Sequence, residues 1–331
     1  MSAAIETSPA DAPLIEAKGL SKTFGGGFLS RARPVQAVRG IDAGVRRGEA
    51  LGVVGESGSG KSTLGRLMLG LMPATGGTIR FDGVPVTGAS GRDWRQLRRR
   101  MQIVFQDPFS SLDPRRRVGP QIADGLLIHG LMDAPRRDAR VAELLTQVGL
   151  DPSHAGRFPH EFSGGQRQRI GIARALATGP EFLVADEPVS ALDVSIQAQV
   201  VNLLADLRQR LGLALLFISH DLPVVRHLCD RVLVMYLGRV MEEGPAEEVF
   251  SRPRHPYTRA LLSATPRLDP KHRTRRILLT GDPPSPSNPP SGCVFRTRCA
   301  HAQPRCAETV PELREFGGAA RVACVRAEEL N

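Results

Sequence analysis

Gly55-Glu56-Ser57-Gly58-Ser59-Gly60-Lys61-Ser62-Thr63 decides how this chain is read. It follows Ala50-Leu51-Gly52-Val53-Val54, whose small and apolar residues suit a strand covered on both faces. The apolar stretch Leu64 to Leu71 after it suits a helix packed on a sheet. Strand, glycine-rich turn and helix form the setting in which Gly-x-x-x-x-Gly-Lys-Ser/Thr cradles phosphate, and Gly55, Gly60, Lys61 and Ser62 stand in the required places. The glycines let backbone N–H groups turn toward the phosphates, and the helix adds its positive end. Lys61 can reach the β and γ phosphates, and the Ser62 hydroxyl can ligate Mg²⁺. Glu56, Ser57, Gly58, Ser59 and Thr63 complete the expected contact set.

A second glycine-rich, helix-opening element lies downstream, Phe162-Ser163-Gly164-Gly165-Gln166. One nucleotide needs only one such cradle, so the pair suggests a nucleotide sandwiched between two surfaces. Phe182-Leu183-Val184-Ala185 reads as another buried strand and ends in Asp186-Glu187. Asp186 is assigned to the metal, through water, and Glu187 to the general base that polarises an attacking water. A bare acidic pair after a strand would ordinarily be a helix cap; the phosphate loop in the same chain argues for catalysis. Gln106, where Ile103-Val104-Phe105 breaks toward Pro108, could touch both the metal and the water. His220 follows the apolar strand Ala214 to Ile218, at the strand end where phosphate-contacting loops gather.

The 331 residues suffice for a large nucleotide-binding domain and an appendage, and 41% hydrophobic residues suit a globular core. No stretch approaches the ~20 apolar residues that span a bilayer, and the polar, acidic Met1 to Asp11 does not read as a secretory signal. The net charge is +10, with arginine clusters at Arg98–Arg100, Arg115–Arg117 and Arg273–Arg276. Without interleaved aromatics these read as solvated basic surface, and no nucleic-acid partner is expected. Leu14 to Ala17 and Gln36 to Val38 read as short strands, residues from about 107 to 160 as mostly helical, Ile196 to Leu211 as a helix, and the segments flanking Leu237-Gly238 as a hairpin.

In order and spacing these residues resemble the ATP-binding subunits of ABC transporters. The phosphate loop is Gly55–Thr63 and the glutamine loop is at Gln106. The signature is Ser163-Gly164-Gly165-Gln166, the acidic strand end Asp186-Glu187, the following turn Ser190-Ala191-Leu192-Asp193, and the switch histidine His220. The match runs from about residue 14 to 250. Phe162 stands where the family more often has Leu, and Phe24 where an adenine-stacking Tyr is usual. The resemblance implies an α/β, P-loop ABC-type nucleotide-binding domain: a RecA-like core, an antiparallel β subdomain and a helical subdomain, here approximately 107–175. It also implies head-to-tail pairing of two ATPase domains, each ATP lying between one domain's phosphate loop and the other's signature. Arg167 and Arg169 are read as surface or intra-domain residues.

Within that family, His160 to Ile170, Asp186 to Ser195, Phe105 to Pro108 and the tail His255-Pro256-Tyr257-Thr258 resemble the oligopeptide and dipeptide importers. The implied organisation is a disordered 1–13, an ATPase domain over 14–252 and a small Cys-rich C-terminal extension over 253–331. The implied setting is the cytoplasmic face of the inner or plasma membrane. The implied partners are a second, different ATPase subunit in a heterodimer (Pro188-Val189-Ser190 resembles the second of two chains), two transmembrane permease subunits and, indirectly, a substrate-binding protein. The alternative is a soluble ABC ATPase acting on nucleic acid or ribosomes, but neither a second fused ATPase domain nor a coiled-coil insert is seen. An iron–sulfur redox enzyme with an accessory nucleotide site lacks any catalytic constellation.

Of five cysteines, Cys229 reads as a small packing residue. The others follow the extended, Pro-rich Gly281 to Pro290 with the spacing Cys293-x5-Cys299-x6-Cys306-x17-Cys324. Four thiols in so short a segment read as metal ligands before disulfides. Zinc ribbons favour Cys-x2-Cys pairs, which are absent; four-Cys iron–sulfur sites tolerate wider gaps. The importer tails this resembles can carry a [4Fe–4S] cluster, with zinc and free thiols or disulfides left as the other readings.

Overall fold

The computed structural model describes residues 12–25, 33–107, 111–264, 277–279 and 281–330. The elements run β1 (Ile15–Phe24), β2 (Val35–Val45), β3 (Ala50–Val54), α1 (Lys61–Met68), β4 (Gly76–Phe81), β5 (Val84–Pro85), α2 (Gly91–Arg100) and β6 (Met101–Val104). Next come α3 (Val118–Ile128), α4 (Ala134–Gln147), α5 (Gly164–Leu176), β7 (Phe182–Asp186), α6 (Val194–Leu211), β8 (Ala214–Ile218) and α7 (Leu222–Leu228). The chain ends with β9 (Arg231–Tyr236), β10 (Arg239–Pro245), α8 (Ala246–Ser251), α9 (Pro256–Ala264), short turns of helix, and the two-residue strands β11 (Arg314–Glu315) and β12 (Arg321–Val322). The described residues group into two compact units, one drawn from 1–16, 43–50 and 79–216, the other from 17–42, 51–78 and 217–331. Most of the N-terminal segment expected to be disordered, and the cluster Arg273–Arg276, lie outside the described residues.

In the second unit the strand order is β11-β12-β10-β9-β3. β3 and β9 are parallel, with Leu51 opposite Arg231 and Val54 opposite Val234. β3 is buried throughout, as its uninterrupted small and apolar sequence requires. Helix α7 presses close on it: a Cβ on Gly52 would stand 2.4 Å from Val225 Cγ1 and 3.1 Å from Cys229 Sγ. Cys229 is thus a buried packing residue, as its sequence context suggests. β9 turns into β10 through Leu237 and Gly238, both at positive φ, which is the expected hairpin. β10 in turn pairs with β12, so residues close to the end of the chain extend this sheet. β1 and β2 are longer than the sequence suggests. Gly19 and Gly40, at positive φ, interrupt the alternation of apolar and polar residues without ending the strands.

In the first unit β7 lies between β6 and β8, and β6 and β7 are parallel with Met101 opposite Phe182 and Val104 opposite Ala185. Helices α3, α4 and α5 pack on one another. Ile122, Leu126, Leu144, Leu145, Ile170 and Ile172 are fully buried, each worth about 1.5–3 kcal/mol. Asp133 caps α4 by accepting the Arg136 N–H at 3.1 Å. The buried Gln121 amide binds Asp113 and Arg116 main-chain groups, ordering the approach to α3. Arg100 is more than solvated basic surface: it pairs with Asp82 and Glu181, and these bonds hold both carboxyls below their usual range.

Candidate functional site

In the second unit, Gly55 to Gly60 link β3 to α1. Both framing glycines are sterically required. A Cβ on Gly55 (φ 151°) would stand 2.1 Å from the Met235 carbonyl oxygen, and one on Gly60 (φ 102°) 2.2 Å from that of Ala37. Gly60 is also the N-cap of α1, and no side chain caps that end, so its positive pole is left for an anion. The Lys61 side chain is buried and donates to the carbonyls of Gly55 (2.8 Å) and Glu56 (2.9 Å). The ammonium therefore sits in a nest of oxygens, the environment that phosphate oxygens would supply. The Ser59 hydroxyl is buried with no hydrogen-bond partner among the described residues, a polar atom provided for in no other way. Donor set, dipole and orphan hydroxyl all fit a polyphosphate.

His220 leaves β8 beside the end of β3. The preceding Ser219 N–H donates to the Val53 carbonyl at 3.2 Å, and the Asp221 carboxylate caps α7 through Val224. His220 is exposed. Phe24 ends β1, 42% exposed, with the Lys22 ammonium 5.2 Å from its ring centre.

In the first unit the parallel strands β6 and β7 end side by side, with Val104 opposite Ala185. Two residues beyond Val104 and Ala185, Gln106 Nε2 donates to Glu187 Oε2 at 3.0 Å and lies 3.4 Å from Ser190 Oγ. Asp186 is the buried last residue of β7. Glu187 has φ 47°, a strained conformation for a residue with a side chain, and its carbonyl accepts the Ser190 hydroxyl at 3.1 Å. Asp193 caps α6 through Ile196 N–H, and that bond, with Ser195, holds its carboxyl below the usual range.

The signature residues open α5. Ser163 Oγ accepts the Gln166 N–H while the Gln166 side chain accepts the Ser163 N–H, a closed capping box. Gly165 is forced by packing, since a Cβ there would stand 2.3 Å from Ile196 Cγ2. Phe162 is buried and meets His154 edge-on at 5.4 Å. Arg167 and Arg169 bind the carbonyls of Pro159 and Val148, as intra-domain residues would. Gln168, which the sequence did not single out, is buried and donates to the Phe105 carbonyl at 3.4 Å, joining the signature helix to the residue before Gln106.

Cys293, Cys299, Cys306 and Cys324 line one small cavity of about 20 Å³, together with His255 and Phe295. The Cys293 N–H donates to the Cys306 carbonyl at 2.8 Å. Gly292 permits this approach, because a Cβ on it would stand 2.4 Å from the same oxygen. Burial pushes the Cys293 thiol up to about 11 and raises Cys299 and Cys324. Among the described residues no cysteine forms a disulfide. The donor type suits a thiolate-bound centre, yet among the described residues no three His, Cys, Asp or Glu side chains already stand where they could hold one metal ion. Nor is any described helix long and apolar enough to cross a membrane.

The profile of the family described as ABC transporter matches residues 38–190, and that of the oligopeptide/dipeptide transporter C-terminal region matches 241–306. A putative peptide import ATP-binding protein of Brucella ovis is 56% identical over 96% of this chain and 98% of its own length. The oligopeptide transport ATP-binding protein AppF of Bacillus subtilis is 50% identical over 94% and 96%, and the dipeptide transport ATP-binding protein DppF of Escherichia coli 47% over 96% and 95%. Among solved structures, a dimeric ATP-binding cassette in a post-hydrolysis state with ADP and phosphate superposes with a TM-score of 0.63 at 28% identity. The match covers 70% of this chain and 98% of that one.

Proposed function

This chain belongs to the ABC transporter family, in its oligopeptide and dipeptide branch, and from that membership we propose how its residues divide the work of hydrolysing ATP to drive peptide import. It is an ATP-hydrolysing subunit that powers a peptide importer. Membership implies pairing with another ATPase domain, transmembrane permease partners and peripheral association with the membrane.

Gly55 to Thr63 hold the phosphates, with Lys61 neutralising their charge and the Phe24 ring against the adenine. Ser62 and, through water, Asp186 would hold Mg²⁺, which would supply charge neutralisation at the transferring phosphoryl group. Glu187 accepts the proton of the attacking water, Gln106 orients that water, and His220 donates to the γ-phosphate. Ser163, Gly164, Gly165 and Gln166 act on nucleotide held by the partner's phosphate loop. These roles are supported above all by the hydrogen bond between Gln106 and Glu187, an amide and a carboxylate brought together where parallel strands end.

The partner is a different ATPase chain, the complex includes two permease subunits fed by a substrate-binding protein, and the assembly lies on the cytoplasmic face. The ATPase domain spans 14–252 and the extension 253–331. The four cysteines bind a [4Fe–4S] cluster in preference to zinc, a reading supported by their shared cavity. The nucleic-acid alternative is not favoured, because the C-terminal region belongs to the transporter branch. The test is ATP hydrolysis by the complex co-purified with its permeases. Glu187→Gln should abolish turnover at this chain's site while leaving ATP binding intact, and full turnover would overturn the base assignment.

A further inference from the structure

Glu56, the second residue of the phosphate loop, is gripped at three points within its own unit. Its carbonyl accepts the Lys61 ammonium at 2.9 Å and the Ser59 N–H at 3.2 Å. Its N–H donates to the Tyr257 hydroxyl at 2.9 Å. Its carboxylate accepts Arg298 Nη1 at 2.7 Å. The last two contacts come from far along the chain, and neither belongs to the motifs that bind nucleotide.

Both partners are firmly held. Tyr257 is fully buried, with its ring centre 4.8 Å from that of Tyr236 and 5.2 Å from that of Phe295. Burial raises the Tyr257 hydroxyl above its ordinary range, so it stays neutral. Arg298 is only 9% exposed and lies 3.4 Å from the Tyr236 hydroxyl. Its Nε is buried with no hydrogen-bond partner among the described residues. A buried cation with an unanswered N–H does not maximise stability, so its placement asks for another reason.

Charge supplies one. A carboxylate inside a loop that must receive a polyphosphate is a like charge next to the ligand. A guanidinium on that carboxylate cancels the repulsion and turns the group aside. Through the Glu56 carbonyl the same residue steadies Lys61.

We infer that Arg298 is a positioning residue for nucleotide binding, neutralising and fixing Glu56 so that the phosphate loop can accept ATP, with the Tyr257 hydroxyl bracing the same peptide. The inference rests on the assignment of Gly55–Thr63 as the ATP cradle. It gives a role to the His255-Pro256-Tyr257-Thr258 segment that the catalytic assignments leave unused.

The experiment is titration of the full chain with a fluorescent ATP analogue and Mg²⁺, alongside steady-state hydrolysis. Arg298→Gln should raise Kd and KM roughly tenfold and leave kcat within about twofold. Arg298→Lys should recover at least half of the loss on a logarithmic scale. Adding Glu56→Gln to Arg298→Gln should restore affinity, because the uncompensated carboxylate is then gone. A wild-type Kd for folded Arg298→Gln, or no recovery in the double variant, overturns the inference. Should Arg298→Gln fail to fold, Tyr257→Phe decides: it keeps the ring and removes only the hydroxyl, and an unchanged Kd overturns the inference. Lys61→Ala separates the two levels. If wild type and Lys61→Ala bind alike, the ATP cradle itself is misassigned; if Lys61→Ala fails to bind while Arg298→Gln binds normally, only the role of Arg298 falls.

Discussion

Gln106 and Glu187 meet two residues past the last paired positions of β6 and β7, Val104 and Ala185, where the amide donates to the carboxylate at 3.0 Å. The parallel strands bring two residues far apart in sequence to the same end of the sheet, and Glu187 leaves β7 at a positive φ. With Glu187 as the base, Glu187→Gln keeps shape and hydrogen-bonding reach but removes proton acceptance. Turnover should fall by about 10²–10⁴, with nucleotide affinity unchanged within a few-fold. Single-turnover hydrolysis beside equilibrium binding checks this, and a proportional loss in both would argue for a binding role.

The signature helix is wedged by a missing side chain. Gly165→Ala would push a methyl into Ile196 Cγ2 and should cost about 1–3 kcal/mol in urea unfolding. Ile196→Ala in the same background should return part of that loss. Additive losses in the double variant would mean that the two residues do not compete for this space.

Gly60→Ala meets main chain instead, the Ala37 carbonyl oxygen, at a backbone angle that residues with a side chain rarely adopt. About 1–3 kcal/mol of strain follows, concentrated where α1 begins. Nucleotide affinity should drop at least tenfold while far-ultraviolet circular dichroism stays the same. Wild-type affinity in the titration would show that the turn can relax.

Acid should weaken the fold through His255. Its Nδ1 accepts the Tyr257 N–H at 3.0 Å, which needs a neutral ring, and burial takes its pKa from 6.5 down to about 3. Between those values the unfolded chain binds the proton and the folded chain does not. Stability therefore rises with pH across that window and is lost on acidification, by up to about 1.4 kcal/mol per pH unit. Glu242, which accepts the N–H groups of Arg254 and His255, is raised by burial and has the opposite sign: its contribution falls as pH rises through its folded pKa. His255→Gln should flatten the dependence between pH 4 and 6.5 in urea midpoints taken at fixed pH. Identical slopes for the two proteins would remove His255 from the account.

β3 and β8 were legible residue for residue, because a strand buried on both faces is written as an unbroken apolar run. The sequence understates β1 and β2, because Gly19 and Gly40 break the alternation that signals a half-buried strand. The candidate phosphate loop, Asp186 and Glu187 can be proposed from sequence because the chemistry fixes residue type and spacing. The bond between Gln106 and Glu187 could not, since it depends on which strands pair and in what register. Arg298 left no trace at all: one arginine among many in a basic chain, its partner known only once the tail is folded back.

The contacts of Glu56 also set an order of events at the ribosome. Tyr257 and Arg298 lie 201 and 242 residues after it. At ~5–20 residues per second, the arginine is made about 12–48 s after the loop it braces. A nascent chain can thus display a complete Gly55–Thr63 sequence while its grip on nucleotide is still unfinished. On the role inferred for Arg298, ATP becomes a ligand of full strength only after residue 298 has been made and folded back onto the loop.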